Sequence, residues 1–148
     1  MTTAITFSDK DLPKIVKEHI IPLLNQYKIF TFTGPLGVGK TTIIKEIFRQ
    51  SGITDVVTSP TFSYVNTYYD RNMRMFNHFD LYRIDGIDQF ISSGFDELLL
   101  QKNSISFIEW PELIDAFIKN QALKNHVCSI KIEYDRSNPA LRLLNITR

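Results

Sequence analysis

The stretch from Gly34 to Thr42 reads Gly-Pro-Leu-Gly-Val-Gly-Lys-Thr-Thr and fits the pattern G-x-x-x-x-G-K-[ST] at every specified position. Glycines let the main chain curl, so that backbone N–H groups approach a phosphate without Cβ clashes. A helix that begins at Lys40 adds unpaired N–H groups and the positive end of its dipole. Lys40 supplies a point charge for the β- and γ-phosphates, and the Thr41 hydroxyl is a ligand for Mg²⁺.

The residues on either side of this stretch support the interpretation as a phosphate-binding loop. Residues 28–33 are apolar and β-branched, which predicts a short strand before the loop. Residues 40–50 predict a helix, because its apolar residues share one face. Gly52 is placed to cap its C-terminal end. The apolar face of this helix consists of Ile43, Ile44, Ile47 and Phe48.

Composition bounds the class of protein. The chain has 148 residues, which predicts a single domain over residues 1–148, and 43% hydrophobic residues suffice for a core. The net charge of +1 argues against a general polyanion-binding protein, and no DNA partner is expected. One cysteine, Cys128, predicts a reducing compartment and a small core residue. No signal peptide or membrane span is apparent, so we expect a soluble cytoplasmic protein.

The order of predicted elements indicates an α/β protein with the three-layer P-loop NTPase fold. An edge strand at 4–7 and a helix kinked or ended by Pro22 precede the loop, and a short strand is predicted at 55–58. A hairpin over 63–81, two short helices around Gly94, a strand at 104–109 and a final hairpin over 127–147 follow. The central sheet should therefore be mixed, with a parallel core and antiparallel edge hairpins.

Two acids are candidates to complete the site. Glu109 ends the strand Ser104–Glu109, where the phosphates should lie, so it can hold Mg²⁺ directly or through water. Asp80 is flanked by apolar residues and needs a partner for its charge, which Mg²⁺, a catalytic water or Arg83 would provide. The alternative for Asp80 is a purely structural pair with Arg83. The alternative for Glu109 is a surface acid at the end of a strand.

Several polar and aromatic residues have less specific signals. Thr61 resembles a switch threonine that closes on γ-phosphate and Mg²⁺, although an ordinary turn residue fits equally. His78 is interpreted as a hydrogen-bonded structural histidine, and Trp110 as a core or rim residue rather than a base-stacking one. Arg83, Arg71 and Arg74 are all candidates to stabilise phosphoryl charge, and the sequence does not choose among them.

Missing motifs narrow the class of nucleotide chemistry. The chain contains neither an Asn/Thr-Lys-x-Asp run, which reads guanine in GTPases, nor Asp-x-x-Gly. Residues 70–83 hold three arginines on a hairpin rather than the arginine-rich lid of small-molecule kinases. ATP is therefore the expected nucleotide, and hydrolysis is favoured over transfer to a metabolite.

Four stretches together resemble the bacterial TsaE (YjeE) family, small P-loop ATPases needed to make threonylcarbamoyladenosine in tRNA. The resemblance runs from about residue 28 to 113 in order and spacing, and the first stretch alone is generic to P-loop proteins. In the region of residues 11–14 the chain departs from the family, which often carries a threonine near the adenine. The four stretches are the phosphate loop, Ser59-Pro60-Thr61-Phe62, His78-Phe79-Asp80-Leu81-Tyr82-Arg83 and Ile108-Glu109-Trp110-Pro111.

The resemblance implies roles for individual residues. Thr41 and Glu109 would hold Mg²⁺, Asp80 would support hydrolysis, Lys40 would act on the phosphates, and Thr61 would lie in a switch-like loop. The family works in the cytoplasm with a TsaB–TsaD heterodimer, which modifies adenosine 37 of tRNAs that read ANN codons, so that tRNA is involved indirectly. The residues implied to bind ATP are Gly34, Gly37, Val38, Gly39, Lys40, Thr41, Thr42 and Thr61.

Two other functions fit the same residues. One is a small-molecule P-loop kinase, which would yield a phosphorylated metabolite. The other is a nucleotide-dependent binding module with little turnover, in which Tyr64, Tyr68 and Tyr69 would be interface residues rather than ordinary sheet packing. The C-terminal hairpin carries no motif that assigns Lys131 or Arg142 to the nucleotide.

Overall fold

In the part of the chain that the structure describes, the protein forms a seven-stranded mixed sheet with helices on both faces, as the sequence predicts. A computed structural model describes residues 1–120 and 122–148. Along the sheet the strands lie in the order β1-β7-β6-β2-β5-β4-β3. The strands are β1 (Thr2–Phe7), β2 (Ile29–Thr33), β3 (Val65–Tyr69), β4 (Met75–Asp80), β5 (Ser104–Glu109), β6 (Val127–Tyr134) and β7 (Arg142–Thr147).

The four central strands run parallel, and the strands at both edges run antiparallel. β2 pairs in parallel with β5 and β6, and β4 pairs in parallel with β5. Every residue of β5 is buried, which matches a strand covered on both faces. β1 and β7 close one edge and β3 closes the other, so the two predicted hairpins are confirmed. The carboxyl ends of β2, β4 and β5 thus meet at one edge of the sheet.

Two hydrophobic clusters cover the two faces and make the three layers. The helix predicted after the phosphate loop runs from Lys40 to Gln50, and Phe48 packs edge-on against Phe76 and Phe107. On the other face Phe90 and Phe95 pack together against β4. None of the described helices is long and apolar enough to cross a membrane. The helices are α1 (Leu12–Ile15), α2 (Lys40–Gln50), α3 (Ile87–Ser92), α4 (Phe95–Leu100) and α5 (Asp115–Ile118).

The first helical segment is irregular, as its prolines predict. After α1 the chain widens into a π-type turn over Val16–Ile20 and tightens into a 3₁₀ turn over Ile21–Asn25. Pro22 lies at the start of that last turn, where its missing N–H breaks the regular helical ladder. The predicted effect of Pro22 is therefore confirmed.

The prediction of a strand at residues 55–58 is wrong. Those residues pair with no strand of the sheet. Both neighbours of β4 are other strands, β5 and β3, and the two neighbours of β2 are β6 and β5. Thr58 instead bonds to side chains: its N–H donates to the Tyr68 hydroxyl at 3.2 Å, and its carbonyl accepts from Asn66 Nδ2 at 3.2 Å. An extended backbone becomes a strand only where a neighbour offers a ladder, and here side chains take that place.

Cys128 is fully buried in the first hydrophobic cluster, as predicted for a small core residue. Burial raises the pKa of its thiol to about 11. The thiolate is the reactive form of cysteine, so Cys128 is unreactive in the folded protein.

Candidate phosphate-binding site

The phosphate loop joins β2 to α2 and is built against the sheet. Gly34 has φ +149°, and a Cβ placed on it would lie 2.4 Å from the carbonyl oxygen of Ile132 in β6. Gly39, with φ +115°, precedes the first residue of α2. The loop closes on itself through a hydrogen bond from Val38 N–H to the Pro35 carbonyl at 3.2 Å. Glycine at position 34 therefore allows the loop to pack directly on a neighbouring strand.

Lys40 is 4% exposed, with its ammonium folded over the phosphate loop. Its Nζ donates to the carbonyls of Gly34 at 2.8 Å and Pro35 at 3.0 Å, and lies 4.3 Å from the ring centroid of Trp110. Burial lowers the pKa of Lys40, and the nearby carboxylates of Glu109 and Asp80 oppose that shift. A buried ammonium stacked on an aromatic ring is thus held at the loop.

Thr41 and Glu109 meet at the carboxyl end of the sheet. The Thr41 hydroxyl lies 2.9 Å from each carboxylate oxygen of Glu109, which is 3% exposed. These oxygens are hard ligands of the kind that Mg²⁺ takes, usually from one or two protein groups while waters and phosphates fill the rest. The described residues contain no cluster of three or more acids, histidines or cysteines that could hold a metal alone. The donor set therefore fits Mg²⁺ shared with a nucleotide.

His78 is fully buried beside Glu109, with its Nε2 atom 2.7 Å from Glu109 Oε2. The interpretation of His78 as a hydrogen-bonded histidine agrees with this contact. Its partner is not evident from the sequence, because the two residues lie on different strands. No isolated motif links them, and the parallel register of β4 and β5 is what brings them together.

Asp80 is half-buried at the end of β4, directly opposite Glu109 in the register. Its Oδ1 accepts a hydrogen bond from the backbone N–H of Tyr82 at 3.1 Å. Burial raises the pKa of the Asp80 carboxyl, the Tyr82 bond counteracts it, and the Glu109 carboxylate adds to the rise. Among the described residues no ion pair joins Asp80 to Arg83, although both line one cavity of about 330 Å³.

Residues 59–62, here called the Thr61 loop, border the same cavity. Thr61 is exposed, and Phe62 is 89% exposed. Ser59 lies closest to the phosphate loop, with its Oγ 3.5 Å from Thr41 Oγ1. The structure therefore places Thr61 beside the phosphate loop but in contact with solvent.

The three candidate arginines lie in different parts of the molecule. Arg71 packs against Gly52 at the end of α2, and Arg74 Nη2 donates to the Leu24 carbonyl at 2.6 Å. Arg83 lines the 330 Å³ cavity with Asp80 and Thr61. Of the three, Arg83 is the one that faces the site.

The three tyrosines also separate. Tyr68 is 7% exposed and packs edge-on against Phe48, and Tyr64 packs against Phe95. Tyr69 is 47% exposed. Ordinary sheet packing therefore accounts for two of the three.

Arg142 reaches the phosphate loop from β7, a contact for which the sequence carries no motif. Its Nε donates to the Val38 carbonyl at 3.2 Å, and its guanidinium carbon lies 4.5 Å from the ring centroid of Tyr134. Arg142, Leu12 and Thr42 border a cleft of about 220 Å³, which Gly37 and Gly39 of the phosphate loop also line.

The family model and the relatives that match this chain carry the same family name. The model of the family described as "Threonylcarbamoyl adenosine biosynthesis protein TsaE" matches residues 8–140. The protein named tRNA threonylcarbamoyladenosine biosynthesis protein TsaE from Borreliella burgdorferi is 35% identical over 116 residues, which cover 78% of this chain and 82% of that protein. The protein of the same name from Bacillus subtilis is 33% identical over 96 residues, 65% of this chain and 58% of that protein.

A solved structure has the same fold. The crystal structure of Bacillus subtilis YdiB superimposes with a TM-score of 0.61 at 20% identity, covering 99% of this chain and 86% of that one. At this identity the likeness concerns the fold alone.

Proposed function

Since the chain belongs to the TsaE family of threonylcarbamoyl adenosine biosynthesis proteins, we propose that it is an ATP-hydrolysing subunit of that pathway. It acts in the cytoplasm as one P-loop domain on a TsaB–TsaD complex, which forms N6-threonylcarbamoyladenosine at position 37 of tRNAs reading ANN codons. The observation that carries the proposal is the contact between the Thr41 hydroxyl and the buried carboxylate of Glu109, beside Lys40. This is the arrangement that Mg²⁺-dependent cleavage of a nucleoside triphosphate needs.

The loop provides the phosphate-binding groups. The first N–H groups of α2 have no partner within the helix and are free to bind an anion, and the helix dipole favours negative charge there. The ammonium of Lys40 adds a full positive charge within the loop. The phosphates would thus be bound mainly by backbone N–H groups and by Lys40. Both belong to a loop that is already packed in place without a ligand.

Thr41 and Glu109 are the proposed Mg²⁺-binding residues, with Glu109 acting directly or through water. When bound, Mg²⁺ offsets the negative charge that develops on the phosphate oxygens. Thr41 presents one hydroxyl oxygen and Glu109 a carboxylate whose direction is fixed by hydrogen bonds. The chain itself thus orients the two oxygen ligands.

Asp80 is the proposed group that orients the attacking water. It borders the phosphate cleft together with Thr41 and Glu109. The raised pKa of Asp80 makes its carboxylate a better proton acceptor than an exposed aspartate. Water attacks the γ-phosphorus, the bond to the bridging oxygen breaks, ADP leaves, and the water proton passes to Asp80 and then to solvent.

A partner is expected to accelerate this reaction. Arg71 and Arg74 are held elsewhere, and Arg83 lines the 330 Å³ cavity with Asp80 and Thr61 rather than the cleft that Lys40, Thr41 and Glu109 line. Leu36 and Tyr82 expose 70% and 54% of their surface at the mouth of the site, which suits contact with another protein. The net charge of +1 agrees with an indirect role of tRNA.

The test is the rate of phosphate release from ATP with and without TsaB–TsaD. We expect slow hydrolysis alone, acceleration by the complex, and loss of both in Glu109→Gln, while Glu97→Gln on the exposed face of α4 serves as the control. Equal rates with and without the complex would contradict the partner role. A phosphorylated metabolite would favour the kinase, and tight ATP binding without release would favour the binding module.

The cellular counterpart is the modified nucleoside itself. Removal of the protein from its organism should abolish threonylcarbamoyladenosine in tRNA, and the wild-type chain should restore it where Glu109→Gln does not. Unchanged levels of the nucleoside after removal would overturn the proposed pathway.

A further inference from the structure

A buried hydrogen bond lies directly behind the proposed metal ligand. His78 and Glu109 stand on adjacent parallel strands and are offset by two residues in register, since Asp80 lies opposite Glu109 and His78 opposite Phe107. The side chain of His78 is 0% exposed and that of Glu109 is 4% exposed, with 2.7 Å between Nε2 and Oε2. The large majority of polar groups at this depth are hydrogen-bonded.

The direction of this hydrogen bond follows from the chemistry of the two groups. An ionised carboxylate only accepts, so the Nε2 atom of His78 carries the proton and donates it. The Nδ1 atom has no hydrogen-bond partner among the described residues. The ring of Phe48, 6.2 Å away between centroids, forms part of the apolar wall around His78.

Two donors thus fix one carboxylate. His78 binds Oε2 of Glu109 from within the protein, while the Thr41 hydroxyl lies 2.9 Å from Oε1 and from Oε2 on the side of the phosphate loop. Without the His78 bond the Glu109 side chain could rotate about its terminal torsion, which is soft and broad. Groups behind a metal ligand commonly set its direction in this way.

We propose that His78 is a positioning residue, which holds the Glu109 carboxylate toward Thr41 and so sets the affinity of the site for a divalent cation bound with nucleotide. The inference rests on the proposed function, because it takes Glu109 as a ligand of that cation. A merely structural histidine would affect the stability of the fold and leave cation affinity unchanged. The two roles therefore differ in a measurable quantity.

The experiment compares three substitutions of His78. His78→Gln keeps an N–H donor at about the reach of Nε2, His78→Asn carries the same amide one methylene shorter, and His78→Phe keeps a ring without a donor. The readout is the affinity for Mn²⁺ in the presence of ADP, measured by electron paramagnetic resonance of the free ion. ADP affinity in EDTA and the midpoint of thermal unfolding are measured alongside.

We expect His78→Asn and His78→Phe to lose about 10- to 100-fold in Mn²⁺ affinity, as other residues behind metal ligands do, with ADP affinity in EDTA unchanged. His78→Gln should retain most of the affinity. The matched control is Asn77→Leu, since Asn77 is equally buried on the same strand but bonds Thr67 on the opposite face. If His78→Phe does not fold, the comparison of His78→Gln with His78→Asn still distinguishes a positioning role from a structural one.

Each other outcome overturns the inference in a recognisable way. Wild-type protein that holds Mn²⁺ with ADP, together with a His78→Asn variant of equal affinity, would refute the positioning role alone. Equal losses in His78→Gln, His78→Asn and Asn77→Leu would assign His78 to the fold rather than to the cation. Wild-type protein that fails to hold Mn²⁺ with ADP would remove the proposed function and this inference together.

Discussion

The phosphate loop and the Thr61 loop face each other across one site, but they are held in different ways. The phosphate loop is packed on β6 through Gly34, closed by its own hydrogen bonds and continued by the buried face of α2. The Thr61 loop follows Thr58, whose backbone is bonded to the side chains of Tyr68 and Asn66. One half of the site is thus built into the fold, and the other half is tethered to it.

This difference has a consequence for function. Backbone packing costs no rearrangement when phosphate binds, so the phosphate loop can act as a preorganised receptor. A loop tethered by a few side-chain bonds can change position at low free-energy cost, so it is the part that a nucleotide or a partner can order. We therefore expect phosphate binding to be an intrinsic property of the chain and rapid hydrolysis to depend on ordering of the Thr61 loop.

The largest expected effect concerns Lys40, the charged member of the preorganised half. Lys40→Ala should lower the rate of ATP hydrolysis by about 100- to 1,000-fold, because it removes a buried positive charge from the phosphates. Lys45→Ala, an exposed lysine in the same helix, is the control and should leave the rate unchanged. Steady-state phosphate release in the presence of TsaB–TsaD measures both. A Lys40→Ala variant with wild-type rate would remove the phosphate loop from the reaction.

The next largest effect tests how tightly the phosphate loop is packed. Gly34 and Gly86 have similar φ angles of +149° and +155°, but a Cβ on Gly86 would meet nothing within 4 Å. Gly34→Ala should therefore lower the free energy of unfolding by about 3 kcal/mol or more, through backbone strain and overpacking together. Gly86→Ala should cost about 1 kcal/mol from backbone conformation alone. Denaturant unfolding measures both, and equal losses would mean that the packing on β6 is loose.

The same contrast explains what the sequence could predict. The phosphate loop and α2 follow from contiguous residues, since glycines, Lys40 and the apolar face of the helix stand within one short stretch. The place of Glu109 follows from topology, because the carboxyl ends of parallel strands meet at one edge. These features were predicted because neighbours in sequence, or the ends of strands, determine them.

Other features depend on contacts between distant residues and were missed. The strand predicted at residues 55–58 failed because a strand needs a neighbouring backbone, whereas Thr58 bonds to side chains. The pairing of His78 with Glu109 spans 31 residues, and that of Arg142 with Val38 spans 104. Such pairs are set by the order of strands in the sheet, which local patterns do not specify.

A smaller effect tests the tether of the Thr61 loop. Tyr68→Phe removes the hydroxyl that accepts from Thr58 N–H and lies 3.4 Å from the Thr58 carbonyl. We expect a loss of about 1 kcal/mol in unfolding free energy, and faster amide hydrogen exchange at residues 56–59, 61 and 62. Tyr69→Phe, on the same strand and 47% exposed, is the control. Exchange that rises equally in the phosphate loop would show that the two loops are one unit.

The smallest effect concerns Asp80, which borders both halves of the site. Burial raises the pKa of its carboxyl above the ordinary value of 3.8, and the Glu109 carboxylate adds to the shift. The native protein therefore binds this proton more readily than the unfolded chain does. The stability associated with it is present below the unfolded-state pKa and is lost as the pH rises through the native pKa.

Asp80→Asn should accordingly raise the midpoint of thermal unfolding slightly at pH 7, because asparagine keeps an acceptor for Tyr82 N–H and removes the buried charge. The gain should shrink as the pH falls through the native pKa of Asp80, below which the native carboxyl is protonated as well. Asp11→Asn gives a control of opposite sign, since hydrogen bonds from Ser8 lower the pKa of Asp11. If the midpoint of Asp80→Asn stays above that of the wild type in acid, the buried negative charge is not what destabilises the native protein. Asp80 would then resemble the solvent-exposed Thr61 loop rather than the buried carboxylate of Glu109.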